Sequence, residues 1–196
     1  VGGVFISEFL LKLMKRLKGI LDIGEDEEIE IIDSREMIED ESNYSEILLS
    51  PMKGEVIPIE KIPHKVFNGK ILGEGVAILP IDGWVLSPVE GRIIHIMDSK
   101  HAIGIKSING ADILIHVGIE TEKLQGEGFQ IFVQTGDDVK PGDKLIQFDL
   151  EYIKNKAKSP IMPMIISNSD VYQSVITIKS GQVDYREPLL ELFELD

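Results

Sequence analysis

The sequence predicts an all-β fold with the strand spacing of a sandwich or barrel, preceded by an amphipathic N-terminal helix and an acidic linker. Three observations carry this expectation. From Ile47 onward, short apolar runs rich in Ile and Val recur at 54–59, 76–79, 91–96, 102–106, 112–118, 144–148 and 164–167. Runs of about four to eight residues at a spacing of roughly 8–12 are the pattern of a sandwich or barrel. Between them lie strong turn signals, above all Gly136-Asp137, Lys140-Pro141 and Gly142-Asp143, where glycine supplies positive φ and proline fixes its own. Finally, the charge is concentrated ahead of this region rather than within it.

The chain has 196 residues, no cysteine and a formal net charge of −14. Residues 1–23 contain Lys12, Lys15, Arg16 and Lys18 against Glu8 and Asp22, a net +2. Residues 24–46 contain eleven acids and only Arg35 as a base, a net −10, leaving −6 for residues 47–196. The expected organisation is therefore an arm at 1–23, a solvated acidic linker at 24–46 and a folded domain at 47–196. Without cysteine there is no disulfide framework, no thiolate metal site and no cysteine nucleophile. With 34 acids against 20 bases, nucleic acid is not an expected partner.

Taking the elements in order, Phe5, Phe9, Leu10, Leu13, Met14, Leu17, Ile20 and Leu21 recur at the three- and four-residue spacing of a helical stripe, with the four bases largely off it. The segment is too charged to span a bilayer and lacks the small-residue cleavage site of a secretory signal. Two readings stay open. Residues 4–21 could make peripheral contact with an anionic membrane surface, or pack on protein. Within the domain, only 150–158 has a helical texture.

The groups able to carry protons or attack near neutral pH are chiefly His64, His95, His101 and His116. His64 follows Ile62-Pro63 in an apparent loop, and His95 sits in the strand 92–96; both read as ordinary solvent-facing histidines. His116 differs, because its strand is apolar on both faces. Period-two geometry puts Leu114 and His116 on one side and Ile113, Ile115 and Val117 on the other. It is either a hydrogen-bonded core histidine or a reactive one in an apolar setting. The turn 107–110 would fold the strand after His101 antiparallel to that of His116, so the two rings could face each other.

A facing imidazole pair suits phosphoryl transfer, in which one neutral ring attacks and the other donates an N–H to the phosphoryl oxygens. That chemistry needs neither metal nor cofactor. Zinc would need further ligands, and no His-x-His or carboxylate–histidine cluster stands close in the sequence.

The stretch Gly110 to Thr121, followed by Leu124-Gln125-Gly126-Glu127-Gly128-Phe129, resembles the active-site signature of the glucose-type enzyme IIA (EIIA) domain of the bacterial phosphoenolpyruvate:sugar phosphotransferase system. The resemblance extends from Ser50-Pro51-Met52-Lys53-Gly54 through Val66-Phe67, Gly73-Glu74-Gly75, Ser87-Pro88-Val89-Glu90-Gly91, Lys100-His101-Ala102 and Gly136–Asp149 to Ile166-Ser167-Asn168, essentially 50–180. It implies an antiparallel β-sandwich of the barrel-sandwich kind with minor helices, and a phosphotransferase component with a phosphohistidine intermediate. His116 would accept a phosphoryl group from phospho-HPr and pass it to a cysteine of a sugar-specific enzyme IIB domain, part of an IIB/IIC permease. By the same resemblance His101 is the partner histidine, and Ser99 stands where many members have a threonine bonded to it. Val66, Phe67, Ile71, Met97 and Leu114 match an apolar rim on which partner proteins dock. The implied location is cytoplasmic, with membrane association through the N-terminal helix or the permease.

Departures from the signature are Glu120 for the commoner aspartate, Glu122 for a small aliphatic residue and Gln125 for a frequent lysine. Two alternatives remain beside this reading. The Gly136–Phe148 segment looks like the strand–turn–strand of a biotinyl or lipoyl carrier, although the lysines that follow it, Lys154, Lys156 and Lys158, fall in the expected helix. A non-catalytic regulator could use the same rim to bind other proteins.

Overall fold

The structure is a computed structural model, and it describes residues 45–195. The arm and almost all of the linker, including the amphipathic segment 4–21, lie outside the described residues.

Among the described residues, fourteen strands form three antiparallel sheets. The largest has eight strands: Gly181–Val183 (β13), Gly54–Pro58 (β2), Glu74–Pro80 (β3), Met162–Ile166 (β11), Asp112–His116 (β7), Ala102–Ser107 (β6), Gly91–Ile96 (β5) and Asp138–Val139 (β9), in that spatial order. Trp84–Leu86 (β4), Lys144–Phe148 (β10) and Phe129–Ile131 (β8) make the second sheet. Ser45–Leu49 (β1), Pro188–Glu194 (β14) and Tyr172–Thr177 (β12) make the third. Every paired run is antiparallel, so the all-β expectation holds.

Two sequence-similar segments knit the layers together. In Ser50-Pro51 and Ser87-Pro88 each serine hydroxyl donates to a carbonyl two residues on, Met52 and Val89. Their flanks then bond reciprocally, Leu49 N–H to Pro88 C=O at 3.0 Å and Leu86 N–H to Pro51 C=O at 2.8 Å. Proline suits both places because it lends a carbonyl and has no N–H to leave unpaired.

The strands β3, β11 and β7 are buried on both faces, which is why they read as continuous apolar runs. One face, with Val76, Ile78, Ile113, Ile115, Met162, Met164 and Ile166, enters the main core beside Ile93, Ile103, Leu145 and Phe148. The opposite face, with Ala77, Leu114 and Ile165, packs under a smaller cluster of Ile59, Ile62, Phe67 and Ile119. The period-two prediction for the His116 strand is thus realised: Ile113, Ile115 and Val117 are buried in the main core, while Leu114 and His116 point to the other side.

Several boundaries differ from the sequence expectation. The folded region starts earlier than 47, because Ser45 and Glu46 belong to β1, and Glu46 is buried while accepting a hydrogen bond from the Ser107 hydroxyl at 3.0 Å. Composition assigned it to the linker; a partner 61 residues away holds it in the fold. Burial pushes its carboxyl up from the usual carboxylate range, opposed by the Ser107 and Asn109 side chains. The helix expected at 150–158 spans Leu150–Lys156, started by Asp149 accepting from the Tyr152 N–H. A second short helix, Lys65–Asn68, was not expected, since four residues carry too little periodicity to be seen. The hairpin of the carrier alternative does not form: β9 pairs with β5, whereas β10 pairs with β4 and β8 in another sheet. Lys154 and Lys156 lie on the helix rather than at a hairpin tip.

Candidate functional site

The β6–β7 hairpin brings the two histidines together. Ala102 stands opposite His116 in its register, and Val117 N–H bonds to His101 C=O at 2.7 Å. The turn is held from outside by Asn168, which accepts from Asp112 N–H at 2.8 Å and donates to Gly110 C=O at 3.0 Å. The imidazole centroids of His101 and His116 are 4.6 Å apart and the rings are tilted by 71°. His101 is buried and His116 half-buried.

Each ring is oriented through its Nδ1. His116 Nδ1 lies 2.8 Å from Gly118 C=O. A carbonyl can only accept, so Nδ1 carries the proton and the lone pair sits on Nε2. His101 Nδ1 lies 2.7 Å from the Ser99 hydroxyl, which can donate to it and leave the His101 proton on Nε2. Burial is the main cause that pushes His116 down to about 4, and the neighbouring His101 adds to it. Gly118 C=O and Glu122 act the other way. His101 is lowered too, chiefly by burial and against the pull of Glu122. Both rings are therefore neutral at pH 7.

The segment after His116 is built to keep this geometry. Gly118 has φ +76°, and a Cβ there would stand 2.5 Å from Thr121 Cγ2, so glycine is required both by its backbone and by its neighbour. The buried Thr121 hydroxyl donates to Val117 C=O at 2.7 Å. Glu120, left-handed at φ 61°, is paired with Lys123 and, at 3.3 Å, with Lys158. A 3-10 turn, Thr121–Leu124, follows.

The expected rim is partly assembled around the pair. Phe67 is buried and meets His116 edge-on at 5.1 Å, and half-buried Leu114 belongs to the same small apolar cluster. Val66, beside Phe67 on the short helix, is half-buried. Ile71 is 73% exposed and Met97 42% exposed, so both present apolar surface to solvent. Met97 N–H bonds to Ala102 C=O at 3.0 Å, closing the β5–β6 hairpin at the His101 end.

Two neighbours escaped the reading of the sequence as site groups. His64 is half-buried rather than solvent-facing; its ring lies 5.3 Å from Phe67, and its buried Nδ1 has no hydrogen-bond partner. The Pro63-His64 step before a short helix is the one local signal, and it does not reveal the ring's neighbour. Glu122 was visible only as a departure from a signature. In the fold its carboxylate and the two imidazoles offer ligand atoms that all lie within 4.8 Å of one another. This corrects the expectation that no carboxylate accompanies the histidines: the three donors could hold a tetrahedral metal with one position open. His95, by contrast, is exposed as expected. An open groove of about 650 Å³ between Arg92, Lys106, Ile108 and Lys140 contains none of these residues.

Residues 46–172 match the family described as phosphoenolpyruvate-dependent sugar phosphotransferase system, EIIA 1. The chain belongs to this family. It is thereby a phosphocarrier component of the sugar phosphotransferase system, acting in sugar uptake. A glucose-specific EIIA component from Bacillus cereus is 53% identical over 132 residues, covering 67% of this chain and 80% of its own length. One from Staphylococcus epidermidis is 49% identical over 128 residues, covering 65% and 77%. Among solved structures, glucose permease IIA from Mycoplasma capricolum superposes with a TM-score of 0.70 at 31% identity, covering 76% of this chain and 96% of its own. The EIIA match begins at the buried Glu46 of β1, in keeping with a folded region that starts ahead of Ile47. Among the described residues of this EIIA, no helix is long and apolar enough to cross a membrane.

Proposed function

We propose that His116 is the phosphoryl acceptor of this EIIA, with phospho-HPr as donor and the cysteine of an enzyme IIB domain as acceptor. The observation that carries this reading is the His116 Nδ1 contact with Gly118 C=O, which leaves the Nε2 lone pair available beside His101. That lone pair attacks phosphorus, the bond from phosphorus to the donor's ring nitrogen breaks, and its electron pair returns to that nitrogen. Nδ1 keeps its proton throughout, so the phosphorylated ring is an imidazolium that carries one positive charge, which the Gly118 carbonyl on Nδ1–H helps to hold. In the onward step a thiolate attacks phosphorus and the P–Nε2 electrons return to His116.

His101 donates Nε2–H to the phosphoryl oxygens as charge develops, and Ser99 holds it in that tautomer by donating to Nδ1. A ring already neutral at pH 7 need not lose a proton before attacking. Val66, Phe67, Ile71, Met97 and Leu114 form the docking rim, which excludes water from the phosphoryl group once a partner is seated. The glucose named for the relatives is the first sugar to test, because the IIB/IIC permease selects it. Working at the cytoplasmic face of a membrane is part of this proposal, with residues 1–23 as arm, 24–44 as spacer and 45–196 as catalytic domain; vesicles of anionic lipid should then bind the whole chain and not one lacking 1–23.

The central experiment is incubation with enzyme I, HPr and labelled phosphoenolpyruvate. Acid-labile, base-stable label is expected on the wild-type chain and lost in His116→Ala. Label persisting in that variant would overturn the assignment. His101→Gln is expected to accept label and pass it on slowly.

A further inference from the structure

The chain has six methionines and no cysteine, so every sulfur it carries is a thioether. Among the described residues, Met52, Met162 and Met164 are fully buried, whereas Met97 is exposed. Met97 is therefore the described sulfur that an oxidant in solution can reach, and it belongs to the apolar rim beside the histidine pair. The main chain fixes it there. Met97 N–H bonds to Ala102 C=O at 3.0 Å and Lys100 N–H to Met97 C=O at 2.7 Å, so the residue opens the tight turn that leads through Ser99 to His101. Ala102 in turn stands opposite His116.

The Met97 sulfur also has a polar neighbour, because His95 Nε2 lies 3.2 Å from Sδ. A thioether has no hydrogen to give and accepts only weakly, so this hydrogen bond needs the His95 proton on Nε2. A sulfoxide oxygen on the same sulfur is polar and a much better acceptor for that N–H. We propose that Met97 is a reversible oxidation site: a peroxide converts its thioether to a sulfoxide whose oxygen His95 holds, and the rim, made polar, loses its grip on a partner protein. The effect on docking rests on the rim being the docking surface, as proposed above; the oxidation does not.

The step balances with hydrogen peroxide as the oxidant. A sulfur lone pair attacks one peroxide oxygen and forms the S–O bond while the O–O bond breaks. The departing hydroxide takes the proton from the transferred oxygen and leaves as water, so sulfur is oxidised by the two electrons that the peroxide gains. Thiol-dependent sulfoxide reductases return the thioether, with two thiols joining as a disulfide and the oxygen leaving as water. Of the rim residues Val66, Phe67, Ile71, Met97 and Leu114, only Met97 has this chemistry. Apolar rim groups favour docking by leaving water together. A sulfoxide among them must shed its hydration or keep water in the interface, and both weaken the contact.

The experiment treats the whole chain alone with hydrogen peroxide and removes the peroxide before any other protein is added. Peptide mapping by mass spectrometry should find an added oxygen on Met97 and none on Met52, Met162 or Met164. Calorimetric titration with unphosphorylated HPr then reads docking without phosphoryl transfer. The Kd of the oxidised chain is expected to rise about tenfold or more, and a pair of reductases specific for the two sulfoxide epimers, with dithiothreitol, should restore it. Met97→Leu is compared with its own untreated Kd, which peroxide should leave unchanged. The His95 ring NMR signals should move on oxidation of wild type and stay in place in treated Met97→Leu. Met97 left unmodified, a Kd unchanged once its sulfoxide has formed, an equal loss in treated Met97→Leu, or His95 signals that do not move in wild type would overturn the proposal. Neither the mapping nor the titration uses phosphoryl transfer, so failure of His116 to accept label would be seen separately from failure of Met97 to act as the oxidation site.

Discussion

The two faces of β3, β11 and β7 make different demands on the same strands. On the main-core face, Ile113, Ile115, Met162, Met164 and Ile166 meet other sheet residues across a continuous apolar interior. On the other face, Ala77, Leu114 and Ile165 meet a cap built from the short helix Lys65–Asn68, the 3-10 turn Ile59–Lys61 and the loop around Ile119. The first face is closed by regular strands. The second is closed by irregular segments, and His116 projects from that side of β7 against one of them, at Phe67. The contrast separates stability from chemistry: a regular core fixes the strand, and an irregular cover lets a polar ring emerge beside apolar surface without being sealed in.

The sharpest way to break this comparison is His116→Ala, expected to reduce labelling at least a hundredfold while leaving the fold intact, because the residue is half-buried and outside the main core. Loss of cooperative urea unfolding in that variant would mean the site face is structural after all. Its counterpart on the other face, Ile115→Ala, should cost about 2–5 kcal/mol in urea denaturation, while the molecules that remain folded keep their labelling. A large labelling defect per folded molecule would show that the faces are not separable.

The pH dependence is the next largest effect. His116 is held near 4 in the fold against about 6.5 when unfolded. Between these values the unfolded chain binds a proton that the folded chain refuses, so stability falls as pH drops from about 6.5 to about 4 and levels off below. The expected loss from this group is about 3 kcal/mol. The difference in unfolding free energy between wild type and His116→Gln across that range isolates it from other groups, including Glu46, whose raised carboxyl works in the opposite sense. A difference independent of pH would contradict the burial of the ring.

Smaller effects test how the cover positions the ring. Thr121→Val removes the hydroxyl that satisfies Val117 C=O and should cost about 1–3 kcal/mol, with a matching shift in the His116 NMR signals if the turn moves. Ser99→Ala should be the mildest, leaving stability nearly unchanged and slowing transfer to IIB a few-fold; restoration by Ser99→Thr would identify the hydroxyl as the group responsible.

Much of this molecule was legible because its strands announce themselves locally. The runs at 91–96 and 144–148 coincide with β5 and β10, and a tight turn at 107–110 is enough to let His101 face His116, as the paired rings do. Those inferences need only the two-residue period and a tight turn. What escaped depended on contacts distant in sequence or on turns too short to have a period. Glu46 reads as linker until Ser107 is beside it. Val139 and Lys144 read as two sides of one hairpin until their strands join different sheets. His64 reads as a loop residue until Phe67 stands over it.

By itself the sequence determined the fold class, the family signature and the two histidines, because alternation, turn chemistry and motif spacing are properties of neighbouring residues. Only the tertiary structure decided which nitrogen of His116 is available, how far its proton affinity falls, and that Glu122 belongs with the pair. Those depend on burial and on the path of the chain through Gly118, Glu120 and Gln125. Electrostatic and desolvation effects act through space, and spacing along the chain does not report them.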